Sequence, residues 1–199
     1  MRVRNREWMI YTYRHRRAFE YCVKKLIKEP GLRARMLERA RVHDMDKQVM
    51  YLFMDQQAAQ TRHVMTQPHH LENDLPRTHD DLVETVIDYE CAPYTKPDKP
   101  LNAYDFTLKL MDMGVLDHAT GGKLIDIMGE LGIARSGTVA EDDEGLAYCR
   151  GIGEVGEEEV LKEIIRYVAE AKDNSVVEML DGIENWGTAS STPFGGTFL

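Results

Sequence analysis

The chain reads as all-α. Apolar residues recur at three- and four-residue steps over much of its 199 residues, no segment sustains a strand-like alternation, and Pro and Gly fall where helices would end. Hydrophobic residues make up 43%, enough for an ordinary core, which excludes disorder throughout.

Over residues 7–27, Trp8, Tyr11, Ala18, Cys22 and Leu26 form one stripe of an amphipathic helix, and His15 falls on that stripe. Pro30-Gly31 then breaks the chain. A second pattern, Leu32, Met36, Ala40, His43, Lys47, Tyr51, continues toward Met54 and puts His43 and Lys47 on one face. A third helix runs through DQQAAQTRHVM at 55–65, stops at Gln67-Pro68 and delivers the pair His69-His70. Thr78 and Asp81 match a capping box, in which side-chain oxygens satisfy the free amides of a helix start, and that helix carries Asp88 and Tyr89.

The stretch CAPYTKPDKPLN at 91–102 holds three prolines and reads as a boundary or a long surface loop. An N-terminal domain is therefore placed at 1–100 and a helical C-terminal region at 101–172, with helices over 103–113, 122–131 and 157–171. EDDEG at 141–145 reads as an acidic loop. GIGEVG at 151–156 also reads as a loop, because no strand precedes it as a dinucleotide site requires. Residues 173–199, rich in Gly, Ser and Thr and ending STPFGGTFL, are expected to be a flexible tail.

The net charge of -9 conceals an asymmetry. Residues 1–50 carry fourteen Lys/Arg against six Asp/Glu, an excess of +8, while residues 51–199 carry an excess of -17. A basic segment suits a small anionic substrate such as a nucleotide, and the lack of a uniformly basic composition argues against nucleic acid as a partner. The plainer alternative is that these cations solvate helix faces. Cys22, Cys91 and Cys149 form no C-x-x-C pair, so neither a disulfide framework nor a zinc ribbon is indicated, and a reducing cytoplasm fits. The N-terminus lacks the apolar core of a signal peptide, and no run reaches the roughly 18 apolar residues of a membrane span. The expected location is cytoplasmic, with no membrane association.

Six of the seven histidines lie before residue 80, interleaved with acidic residues. Imidazole nitrogen together with carboxylate oxygen suits a divalent transition metal. His43 and Asp44 cannot project the same way from a regular helix, but both can reach one site where a helix ends or bends. No G-x-S-x-G elbow and no P-loop occurs.

The order His15, His43-Asp44 with Lys47, His63, His69-His70, Asp88 resembles the H…HD…D pattern of the HD superfamily of metal-dependent phosphohydrolases. HDMDK at 43–47 looks like its HD-x-x-K signature, and HHLEN at 69–73 looks like the HHE element of the branch with extra histidines. More narrowly, residues from about 13 to 92 resemble a family of uncharacterised bacterial and phage proteins, a domain of unknown function, whose motifs are R-H, HD-x-S-K, H-x-x-N-x-HH and E-M-x-x-D-W. The matching stretches here are RH at 14–15, HDMDK at 43–47, HVMTQPHH at 63–70 and ETVIDY at 84–89. Asp46 stands where that pattern has Ser, Thr66 or Gln67 where it has Asn, and Tyr89 where it has Trp. Nothing after about residue 105 takes part in the likeness.

The resemblance implies an HD-like helical bundle with a helical C-terminal extension. It implies His15, His43, Asp44 and Asp88 as ligands of a first metal, with Asp44 bridging to a second held by His63, His69 and His70. The ions would be Mn, Fe, Zn, Co or Ni, one or two per chain. Glu84, one turn before Asp88, could take its place. Asp44 and Lys47 would be the catalytic residues, Lys47 stabilising charge on a phosphoryl group. One or two of Arg14, Arg16 and Arg17 would face the site, whereas His79 and His118 read as surface histidines. The implied activity is hydrolysis of a nucleotide or small phosphoester. Two alternatives share the ligand set: an HD-fold di-iron oxygenase, and a non-catalytic protein stabilised by metal whose acidic C-terminal half engages a partner.

Overall fold

A computed structural model describes residues 5–96, 98, 100–135, 143–151 and 156–170, and among them the fold is all-α, with no strand. In chain order the helices are α1 (Arg6–Leu26), α2 (Pro30–Val42), α3 (Met45–Met50), α4 (Gln56–Thr66), α5 (His79–Thr95), α6 (Ala103–Asp112), α7 (His118–Leu131), α8 (Glu144–Gly151) and α9 (Glu157–Glu170). Local chemistry sets most of the starts. Pro30 occupies the first turn of α2, where a missing N–H is harmless, and Glu29 accepts from the Gly31 and Leu32 amides. Asp55, Asn102 and Asp117 cap α4, α6 and α7 in the same way. At α5 the box is complete: Thr78 accepts from the Asp81 amide, and Asp81 accepts from the Thr78 amide at 2.7 Å.

Helices α1 and α5 form the central pair. Phe19, Cys22 and Val23 of α1 share one buried cluster with Val83, Val86, Ile87 and Cys91 of α5. Met36 of α2, Leu124 and Met128 of α7 and Cys149 of α8 belong to the same cluster, so the core runs across residue 100 without interruption. A second cluster joins Met9 and Tyr13 of α1 to Met45, Val49 and Met50 of α3, Ala59 of α4, and Val160 and Ile164 of α9. His15 lies on α1 between the residues that helix gives to each cluster.

Part of the N-terminal positive charge is paired with carboxylates from the rest of the chain. Arg16 and Arg17 both pair with Glu163, Lys25 with Asp143 at 3.0 Å, Arg35 with Asp80 at 2.7 Å, and Arg39 with Asp81 and Glu84 at 2.6 Å each. The basic α1 and α2 thus face the acidic residues of α5, α8 and α9.

Four readings of the sequence are corrected. The pattern from Leu32 toward Met54 is two helices, broken at His43 and Asp44, so Lys47 does not share a helical face with His43. The expected boundary at 91–102 begins inside α5, which continues through Pro93 to Thr95 because Cys91 and Tyr94 are buried in the core. Helix α7 starts at His118 under the Asp117 cap, four residues earlier than its apolar spacing indicated. A helix, α8, begins at the end of the acidic run, with Gly145 packed beneath the rings of Tyr21 and Tyr94. The tail at 173–199, and residues 152–155 of GIGEVG, lie outside the described residues. Among the described residues no helix is long and apolar enough to cross a membrane.

Because Thr78 supplies one half of the box and anchors the other, Thr78→Ala is expected to lower stability by about 1 kcal/mol. Urea unfolding of the metal-free chain measures this, with an unchanged denaturant slope showing that only the helix start has been weakened.

Candidate metal centre

Asp44 marks the break between α2 and α3. Its φ of 60° and ψ of 12° lie in the left-handed region, which costs a non-glycine residue on the order of 1–3 kcal/mol and which Asp and Asn enter more readily than most. That single residue ends one helix, restarts another, and lets two adjacent side chains serve one centre.

The imidazoles converge on two carboxylates. His15 Nε2 lies 2.6 Å from Asp88 Oδ1, and His43 Nε2 lies 3.7 Å from the same oxygen and 3.8 Å from Asp44 Oδ1. His63 Nε2 and His69 Nε2 approach Asp44 Oδ1 to 3.0 and 4.0 Å. The His70 ring stands 4.7 Å from that of His63 and 4.5 Å from that of His69. Donor atoms of His15, His43 and Asp44, of His43, His69 and Asp88, and of His63, His69 and His70 each lie within 4.8 Å of one another. Two donors bound to one ion at about 2.1 Å stand about 3 Å apart when cis and about 4.2 Å apart when trans, so these groups could hold an ion with small side-chain adjustments.

The other ring nitrogens face outward to acceptors. His43 Nδ1 donates to Glu84 Oε1 at 3.0 Å, and His63 Nδ1 donates to the Asp46 carboxylate at 2.8 Å. His69 Nδ1 is 3.4 Å from Glu84 Oε1, His70 Nδ1 is 3.7 Å from Glu72 Oε2, and His15 Nδ1 is 3.7 Å from Cys91 Sγ. A carboxylate on Nδ1 fixes the tautomer that leaves a lone pair on Nε2, which is how outer partners prepare a histidine for a metal. The Nε2 atoms of His43, His63, His69 and His70 are buried without a hydrogen-bond partner, and so are both oxygens of Asp44. Lys47 Nζ and His63 Nε2 come within 2.6 and 3.0 Å of those oxygens, but not along hydrogen-bonding directions. Leaving a buried polar atom unsatisfied costs on the order of 1–3 kcal/mol, a cost that a cation held among several of these atoms would relieve.

The framework behind the histidines is stiff. Residues 67–78 are irregular, yet Asn73 donates to the Val64 and Gln67 carbonyls at 2.6 and 2.8 Å, and Arg77 donates to those of Pro68, His70 and Asn73. Thr85 Oγ1 donates to the His69 carbonyl at 2.6 Å, tying that loop to α5. The Phe19 ring stacks on His43 at 4.2 Å.

Without a metal, burial opposes the charge on Asp44 and Asp88, but Lys47, His43 and His63 around the first and His15 and His43 around the second hold both well below the usual carboxylate range. Burial also opposes a charged His43. There Asp44, Asp88 and Glu84 win, and its pKa is pushed up to about 10. His69 goes the other way, to about 3, through burial and the neighbouring His43 and His70.

All seven residues expected as ligands, His15, His43, Asp44, His63, His69, His70 and Asp88, are gathered here. Glu84 stands behind His43 and His69 and does not replace Asp88. Lys47 is 7% exposed and pairs with Asp44. Arg16 and Arg17 turn to Glu163 on α9, away from the centre, and His79 and His118 are exposed. A cavity of about 220 Å³ opens onto the centre, with Arg39, His43, Asp44, Asp46, His69 and Tyr167 in its wall. Asp46, Arg39 and Tyr167 had no assigned part in the sequence. For Asp46 the signal was present, as a departure from the Ser of the motif. No protein-family model matches this chain, and no curated protein or solved structure matches it.

Metal binding needs Nε2 unprotonated, and a His43 pKa of about 10 keeps that proton on the metal-free protein at neutral pH. Binding is therefore expected to release at least about one proton per chain, and affinity to rise with pH up to about pH 10. Titration calorimetry in buffers of different ionisation enthalpy counts the proton, and affinity that does not change between pH 6 and 9 would contradict it.

Proposed function

We propose that the chain is a divalent-metal phosphohydrolase of the HD type, acting on a nucleotide or another small phosphoester. The observation that supports this reading most is the set of inward, unsatisfied Nε2 atoms around the unsatisfied Asp44 carboxylate. Nitrogen donors mixed with carboxylates suit Mn, Fe, Zn, Co or Ni. His15 with His43 and Asp44, His43 with His69 and Asp88, and His63 with His69 and His70 are overlapping donor groups, which together could hold one ion or two.

A divalent ion held there would act as a Lewis acid on a phosphoryl oxygen and lower the pKa of a water molecule. The protein's own groups do the rest. The Lys47 ammonium stands 2.6 Å from Asp44 Oδ2, and the imidazoles of His43, His63 and His69 gather around Oδ1. Glu84 and Asp46 keep protons on the outer nitrogens of His43 and His63.

Asp44→Asn tests the reading, because Asn keeps the size of the side chain and tolerates the left-handed backbone while removing the charge. Parent protein should contain at least one transition metal per chain by elemental analysis and should hydrolyse nucleotides or p-nitrophenyl phosphate with added manganese. The variant should lose metal and turnover together, by about a hundredfold or more in rate. Oxygen consumption with every phosphoester intact would assign the centre to an oxygenase. Metal content with neither activity, and unfolding on chelation, would make the metal structural.

A further inference from the structure

We infer, resting on the hydrolase reading of the metal centre, that Arg39 receives the anionic end of the substrate through Nε–H and Nη2–H. Lys47, the cation placed by the sequence motif, is buried, has its ammonium 2.6 Å from Asp44 Oδ2, and takes no part in the cavity wall. Arg39 is the one Lys or Arg in that wall among the described residues. It precedes His43 by four residues at the end of α2, so one helical turn sets the guanidinium beside the first metal ligand of the motif.

The guanidinium is already oriented. Nη1 carries two hydrogens, and it donates at 2.6 Å to Asp81 Oδ1 and at 2.6 Å to Glu84 Oε2. Those two bonds use Nη1 completely and leave the Nε–H and Nη2–H edge, a planar fork that fits two oxygens of a phosphoryl group. Glu84 accepts from His43 through its other oxygen, so Arg39, Glu84 and His43 form one hydrogen-bonded chain from the anion site to the metal site. A side chain held by two carboxylates loses little further freedom on binding, which favours affinity. At about 220 Å³ the cavity falls below the range of roughly 300–1,000 Å³ that encloses a whole drug-sized ligand. It takes in the anionic end and leaves the body of the substrate outside. There, Val42 and Tyr167 also border a groove of about 730 Å³ between α1, α2 and α9.

Inorganic phosphate titrated into the metal-loaded full chain measures the contact directly. Arg39→Lys keeps the charge and removes the fork, so it should retain its metal and bind phosphate roughly tenfold or more weakly. In the parent, phosphate should also slow modification of Arg39 by phenylglyoxal, read by mass spectrometry, a readout that needs no variant to fold. Unchanged phosphate affinity in Arg39→Lys, metal loss in that variant, or modification of Arg39 at the same rate with and without phosphate overturns the assignment. A parent that binds phosphate at Arg39 but cleaves no phosphoester keeps the assignment and ends the hydrolase reading. A parent that cleaves phosphoesters as fast as Arg39→Lys does the reverse.

Discussion

The burial of the Asp44 carboxylate is the constraint on which the rest of the centre depends. An ionised carboxylate taken out of water costs several kcal/mol unless cations and donors surround it. Here the charge sits almost fully inside the protein, on a residue whose backbone is itself held in the left-handed region. Lys47 takes one oxygen, His63 approaches the other, and His43 and His69 stand further off. In the metal-free chain this is a partial solution. Asp44, Asp88 and Glu84 push the His43 pKa up to about 10 against its burial.

The helical framework brings imidazoles and carboxylates to that charge. Helix α1 spans both hydrophobic clusters and presents His15 between them, α5 presents Glu84 and Asp88 one turn apart, and a loop pinned by Asn73 and Arg77 presents His69 and His70. The C-terminal helices are structural partners of this arrangement. Residues of α7 and α8 extend the first cluster, α9 completes the second and carries Glu163 to Arg16 and Arg17, and Tyr167 reaches the mouth of the metal cavity. A chain that is basic at one end and acidic over the rest thereby folds its opposite charges together.

Much of this was legible beforehand, for identifiable reasons. Helix starts were readable at Pro30 and Thr78 because capping chemistry is local. The gathering of the histidines was readable because six of the seven fall before residue 80, interleaved with carboxylates. The break at Asp44 was hidden, since apolar spacing from Leu32 to Tyr51 runs straight through it and one left-handed residue leaves no trace in a periodicity. Pro93 misled because a proline near a helix end usually marks a stop, whereas the buried Cys91 and Tyr94 outweigh the hydrogen bond it removes. Lys47 and Arg39 could not be distinguished by sequence at all. Both cations pair with buried carboxylates, and only the three-dimensional arrangement shows that Arg39 also borders the cavity.

Crystals of the metal-loaded protein, with anomalous diffraction recorded at the metal edge, test the central claim most directly. A metal peak is expected at roughly 2.0–2.3 Å from Asp44 and from inward Nε2 atoms, with Glu84 and Asp46 still on the outer nitrogens of His43 and His63. Absence of any peak beside Asp44, or rings turned so that Nδ1 faces Asp44 and Nε2 faces Glu84 and Asp46, would contradict it.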